Sequence, residues 1–523
     1  MFTVIDIFNR SVTIEVDSGE PYKSEIPYDV FLNGEKVFTR HHNVVTLTGL
    51  EPDTEYVIRV ERNGASEEIS IRTKQESVLL NVRDFGAKGD GVTPDAAAIQ
   101  AAIMACPENG TVYVPAGTYY TTPLFLKSCM TLWLGKDAVL LGDTDRTHYP
   151  ILPGMTRCTD EESEYNLGSW EGNPLNSFAS LITAIDAHDL DIIGPGTLDG
   201  NAKSSDWWVD AKKKRIAFRP NMIFLCRCNN VRVQNIKVQN SPCWTVHPYY
   251  SDHLHFLNLE ITNPYNSPNT DGFDPESCED VLLVGTKISV GDDCIAIKSG
   301  KYYMSMYHFK RTRQIEIRNC RFERGHGSVT VGSEVAGGVE NVHVSKCLFD
   351  ETDRGVRLKT RRGRGERSRL TDLVFEDIRM NRVLMPVTVN MFYFCDPDGH
   401  SAFVQDQNER PVDELTPYVG DIVIRNVSCT DISASFVCAL GLPEQPIEKI
   451  ELHNVTASFL PEGERTPCVP LMMDDFPEMS GKGVFIKNAK EVILENVKIT
   501  GSEDTEADIQ NVNNVNITGL SYE

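Results

Sequence analysis

The chain has 523 residues, 41% of them hydrophobic and 24% charged, with 51 Lys and Arg against 75 Asp and Glu for a formal net charge of −24. This ordinary globular balance excludes a disordered, collagenous or disulfide-stapled protein, and no run of about 18 apolar residues is present to span a membrane. The acidic surplus argues against bulk nucleic-acid binding, which needs a basic surface.

Met1 to Arg10 shows no basic stretch followed by an apolar one, and Asp6 interrupts it, so no signal peptide is expected. Residues 1–76 read as short strands with period-two alternation, as in Ser11-Val12-Thr13-Ile14-Glu15-Val16. A turn at Glu51-Pro52-Asp53 precedes Tyr56. That order suits a small β-sandwich in which a tyrosine hydroxyl ties down a corner. The segment resembles the late part of a fibronectin type III domain, and its expected role is a spacer or packing wall. Lys74 to Ser77 would be the linker. From Asp95 to Cys106 the pattern turns helical, with Asp95 as N-cap and Ala96, Ile99, Ala102, Ile103 and Cys106 on one face. A single helix before a long β region predicts a cap over an open sheet end.

The remainder repeats one phrase: two alternating apolar positions, a turn residue, then two more. The turn residue is Asn235, Asn258, Gly285, Asn319, Lys346, Asp377, Asn426, Asn454 and Asn496, with a degraded copy around Asn516. The shortest gaps set a unit of roughly 20–27 residues, and longer gaps carry inserted loops. Asn, Asp and Gly tolerate a left-handed backbone; Lys346 is the exception. One unit cannot bury its apolar side, but stacked units can. The expected fold is therefore all-β: a right-handed parallel β-helix over residues 78–523. A leucine-rich repeat is disfavoured because its Leu spacing and helical segments are missing. The fourteen cysteines sit mostly in strand contexts, such as Cys320, Cys347 and Cys429, and read as buried free thiols. Cys226 and Cys228 lack a second pair, so no metal site is expected there. Free thiols and the missing leader together predict a cytoplasmic location.

Stacked coils bring residues one unit apart to about 4.8 Å. Four segments then gain meaning together: Asn269-Thr270-Asp271, Gly291-Asp292-Asp293, Gly325-His326-Gly327 and Arg357-Leu358-Lys359. The steps Asp271 to Asp292, Asp292 to His326 and His326 to Arg357 are 21, 34 and 31 residues, each one coil with or without a loop. On a strand, Arg357 and Lys359 share a face while Leu358 points inward. Three carboxylates, one imidazole and two cations converge on one wall. Hydrolysis of a glycosidic bond needs a protonated acid and an ionised base. Carboxylates about 5 Å apart repel by roughly 3 kcal/mol at an effective dielectric of about 20, enough to keep one protonated. The two cations suit a substrate carboxylate.

These four motifs, in this order, resemble glycoside hydrolase family 28, the polygalacturonases. The resemblance implies that Asp292 is the general acid, that Asp271 and Asp293 activate water, and that His326 supports the acid's protonation state. It also implies that Arg357 and Lys359 bind galacturonate, with Asn269 shaping the site; Tyr393 is a candidate sugar-stacking ring. The family inverts although its carboxylates crowd closer than the usual inverting separation. No metal or other cofactor is implied, and the expected partner is an anionic galacturonate oligo- or polysaccharide, with neither nucleic acid nor membrane. The N-terminal domain, the segment Trp170 to Leu175 and Gly196 to Gly200 resemble the exo-acting branch, which implies release of galacturonate from the non-reducing end. Two basic loops, residues 301–313 and 354–369, are expected to offer subsites for a polyanion. A hydrolase of rhamnogalacturonan or xylogalacturonan ends is the alternative specificity. A β-helix pectate lyase is the alternative chemistry; it would need calcium.

Overall fold

The computed structural model describes residues 2–157 and 164–523. Two antiparallel sheets come first. Phe2–Ile7, Ser11–Val16 and Val44–Thr48 form one, and Glu35–His42, Lys23–Leu32, Glu55–Arg62 and Ala65–Arg72 form the other, in that spatial order. Alternate residues, among them Val12, Ile14, Tyr28, Val30, Leu47 and Ile58, meet as a separate core between them. The predicted corner is present: the Glu51 backbone N–H donates to the Tyr56 hydroxyl at 2.9 Å.

From Leu79 onward the chain winds as a parallel β-helix. The helix spans Ala96–Ala105, with Ile99, Ala102 and Ile103 buried against the first coils. Asp95 occupies its N-cap position, but its carboxylate makes no cap bond. It instead accepts the backbone N–H groups of Lys88 and Gly89, at 2.6 and 2.9 Å.

The repeat phrase is the coil. Val231, Leu254, Val281, Ile315, Val342, Leu373, Ile422, Ile450 and Val492 pair in register down one wall. All nine are buried, so each contributes to an aliphatic column that no single coil could close. Nine of the ten expected turn residues, Asn235 to Asn496, have φ between 50° and 68°, Lys346 included. Asn516 is a correction. It lies within the strand Asp508–Thr518, opposite Ile493, and Gly519 at φ 71° takes the turn instead. The register explains this, because Thr518 pairs with Glu495 and so puts Gly519 beside the previous turn residue, Asn496. Turn asparagines also bond to one another: Asn426 donates to Asp377, Asn454 to Asn426 and Asn496 to Asn454, at 3.1, 3.2 and 3.1 Å.

The sandwich lies along the flank of the coils. Phe8 and Val44 share a core with Ile193, Leu257 and Val284. Around that patch Gln234 bonds Ser11 and Thr13, Glu15 bonds Arg318 and Asn319, and Arg379 reaches Glu20. Ten of the thirteen cysteines among the described residues are buried, and all thirteen are free thiols. No helix among the described residues is long and apolar enough to cross a membrane.

Candidate active site

One wall of the helix carries the site. Ile295–Ile297 pairs with Val329–Val331, and that strand pairs with Arg354–Lys359. Val329, Val331, Val356 and Leu358 point into the core, which turns Arg357 and Lys359 outward. Just upstream, the Gly272 N–H donates to the Asp293 carbonyl at 3.0 Å, and the His326 N–H to the Asp292 carbonyl at 3.0 Å. These rungs set the carboxylates of Asp271, Asp292 and Asp293 so that one oxygen of each lies within 4.8 Å of the others.

Asp271, Asp292, His326, Arg357, Lys359, Asn269 and Tyr393 all line a single cleft of about 180 Å³. Asp293 does not line it. Its fully buried carboxylate accepts from Arg357 Nη1 at 2.9 Å and Lys359 Nζ at 2.8 Å. Burial raises the cost of that charge, but Lys359 and Arg357 more than offset it and hold the carboxyl far below its usual range. Both of its oxygens are thus committed to cations, which leaves little for a divalent metal to bind.

The other two carboxylates diverge. Burial, then the charges of Asp292 and Asp274, push Asp271 well above the usual carboxylate range against the pull of Lys298. Burial also acts on Asp292, but the bond to His326 Nδ1, 3.3 Å away, prevails and holds it below its usual value. Through the same bond, Asp292 raises the imidazole. The two carboxylates facing the cleft are thus pushed in opposite directions, Asp271 toward its protonated form and Asp292 toward its ionised form.

Several lining residues carry no motif signal. Lys298 is buried, with its Nζ 3.9 Å from Asp271, 3.5 Å from Asp274, 3.3 Å from Glu334 and 4.2 Å from the centre of the Trp244 ring. Glu171, Lys212, Asp396 and Met472 also line the cleft. Lys298 and Glu334 lie just past the strands Ile295–Ile297 and Val329–Val331 that carry recognised motifs, and that proximity was the available signal; Glu171 lies in the segment Trp170 to Leu175, singled out only by resemblance and without a role, and Lys212 lies on a loop that gave no signal. Asn269 accepts from Arg219 at 2.7 Å, which fixes its left-handed turn beside Asp271. The Tyr393 ring is buried and packs 5.3 Å from Lys359 Nζ.

The basic loops differ from expectation. Lys301 pairs with Asp396, Arg361 with Asp398, Arg362 with Glu444 and Arg364 with Asp396, at 2.6–2.9 Å. Lys310, Arg311 and Arg313 bond Asp252, Glu340 and Glu279. These cations brace the loops; Arg357 and Lys359 are the members of the two loops that line the cleft.

The sequence model "Glycosyl hydrolases family 28" matches residues 131–464. The chain belongs to glycoside hydrolase family 28. A second model, "Rhamnogalacturonase A/epimerase, pectate lyase-like", matches residues 79–161. A probable polygalacturonase of Vitis vinifera is 30% identical over 407 residues, covering 76% of this chain and 77% of its own. The solved exopolygalacturonase of Thermotoga maritima superposes with a TM-score of 0.65 at 25% identity, over 81% of this chain and 92% of its own. The Yersinia enterocolitica family 28 exopolygalacturonase shares the fold over 98% of both chains, with a TM-score of 0.70 at 19% identity. Other relatives in the family carry both endo- and exo-acting names. For a family 28 chain, the convergence of its four motifs on one cleft is the geometry that glycosidic hydrolysis needs.

Proposed function

We propose that this protein is an inverting, exo-acting hydrolase of α-1,4-linked galacturonan that removes galacturonate from the non-reducing end of oligogalacturonides. The reading rests on one observation above all: a loop turn is packed against the wall of the cleft that holds the carboxylates, where it would limit how far a chain can run. This turn, at Trp170–Asn173, packs so closely there that a Cβ at Gly172 would stand 2.9 Å from Glu334 Cβ. The Lys301 N–H donates to the Gly172 carbonyl at 2.9 Å and holds the turn in place. Arg357 and Lys359 lie on later coils, where a following sugar's carboxylate would pair with them.

By family resemblance Asp292 protonates the glycosidic oxygen and Asp271, with Asp293 behind it, activates water. The opposed shifts of Asp271 and Asp292 favour a second reading, with Asp271 as acid and Asp292 as base. Either way Asp293 acts from beneath the cleft, as a fixed charge that orders Arg357 and Lys359.

The sheet arrangement of the N-terminal sandwich, three strands against four with a tyrosine corner, supports the fibronectin type III-like reading for residues 1–76 and a packing role. A cytoplasmic place, acting on imported oligomers, fits its thiol-rich core.

Mass analysis of early products from defined oligogalacturonates tests the function. Monomer should dominate from the first time point, and it should emerge as the β-anomer by proton NMR. Mixed oligomers early in the reaction, or the α-anomer first, would overturn the exo or the inverting part respectively.

A further inference from the structure

We infer that Glu171 and Glu334 form a receptor for the hydroxyl groups of the terminal galacturonate, and so set which chain ends the enzyme accepts. The inference rests on the exo reading above and names the residues that would enforce it.

Glu334 follows the strand Val329–Val331 and shares Lys298 with Asp271. One ammonium touches both carboxylates, at 3.3 and 3.9 Å. Glu334 therefore stands beside the reacting centre, one shared ammonium away from Asp271. Lys298, with further help from Lys301, keeps Glu334 ionised in spite of its burial. Its Oε2 faces Lys298, and Oε1 has no bonded partner among the described residues.

Glu171 lines the same cleft, and no hydrogen bond or ion pair engages its carboxylate among the described residues. Its backbone sits at φ 45°, a left-handed conformation costly for a glutamate. The turn is nevertheless fixed: Trp170 and Asn173 exchange backbone bonds, and the Trp170 ring stacks on Phe218 at 4.6 Å. Such local strain persists only where surrounding structure over-determines it.

Two carboxyl groups with spare acceptor oxygens, lining the same cleft, suit a neutral polyol edge. Sugar hydroxyls would donate to them. A further uronate in place of those hydroxyls would bring its charge against the ionised Glu334, beside a Glu171 carboxyl that burial and then the Glu334 charge already push up, and this disfavours an internal segment of the polymer. Lys212 lines the cleft and has no ion pair among the described residues, leaving it able to meet the terminal ring's own carboxylate.

The test compares saturated trigalacturonate with a trimer whose non-reducing ring is 4,5-unsaturated and lacks the 4-hydroxyl. In the wild type, kcat/KM should favour the saturated trimer by at least about 100-fold, since a site built to hold a hydroxyl strongly rejects an analogue without it. In Glu171→Ala and in Glu334→Gln that preference should shrink at least about tenfold, with the loss of a charge-assisted bond. Glu171 lies on a surface turn, so its variant keeps the test open if Glu334→Gln fails to fold; a thermal melt establishes that. A preference unchanged within about twofold in the folded variants, with the wild type still releasing monomer, overturns the receptor alone. Mixed oligomers from the wild type would overturn the exo reading and the receptor with it.

Discussion

Asp271 and Asp292 face the same cleft in opposite electrostatic company, and their roles can be separated chemically. Replacing the acid matters little when the leaving group needs no proton. On an aryl galacturonide with a good leaving group, the Asp→Asn variant of the acid should stay within about tenfold of wild type, yet lose about 10³-fold on digalacturonate. The variant of the base should lose on both substrates. If Asp292→Asn is the one that retains aryl activity, the resemblance is right; if Asp271→Asn is, the resting electrostatics are. The pH profile gives an independent check. The imidazolium of His326 lowers Asp292. Taking that cation away raises the neighbouring carboxyls, so they keep a proton to higher pH. His326→Ala should cut kcat by about 10²-fold and move the alkaline limb of kcat/KM upward. A limb that stays put or moves down would mean that the His326 charge does not set the titrating carboxyl, and a limb that disappears would mean that His326 itself is the titrating group.

At the scale of the coil, the turn residue is the controlling element. Asn454 adopts φ 55° and bonds both Asn426 and Asn496. Asn454→Ala should therefore destabilise by about 1–2 kcal/mol, from left-handed strain and two lost side-chain bonds. Asn454→Gly, which removes the bonds but not the conformation, should cost less; thermal melts of both variants check the order. This also explains why the fold could be read from the sequence. A left-handed residue every coil leaves a chemical trace, as do alternating apolar positions on each side of it. The trace failed at Asn516, where apolar alternation is weak and only pairing with Asn496 could reveal Gly519. The motifs were visible for the same reason: they lie on rungs, at coil-sized steps. The place of Lys212 in the cleft was not, nor was that of Glu171 within its resembling segment, because both arrive from long loops whose path no repeat dictates. The partners of the basic loops were hidden as well. Glu444 stands 82 residues from Arg362, and only tertiary structure turns those cations from prospective subsites into braces.

The whole molecule is organised by the contact between sandwich and coils. Gly285 is a tight point in it, since a Cβ there would stand 2.5 Å from Val44 Cβ. Gly285 also has φ 68°, so any side chain is strained as well as crowded. Gly285→Val should loosen the sandwich, lower the melting temperature and expose residues 73–78 to limited proteolysis. Equal protease resistance in the variant and the wild type would show that the contact is not under that constraint.

The turn at Trp170–Asn173 has a consequence for how long one encounter lasts. On the proposed exo reading, a sugar freed beside this turn sits behind the polymer that delivered it, and its exit is the mouth through which that polymer entered. The shortened chain must back out before its former end can escape. Catalysis is then distributive: each cut ends one visit, and an unlabelled competitor added mid-reaction should halt further trimming of a labelled chain almost at once.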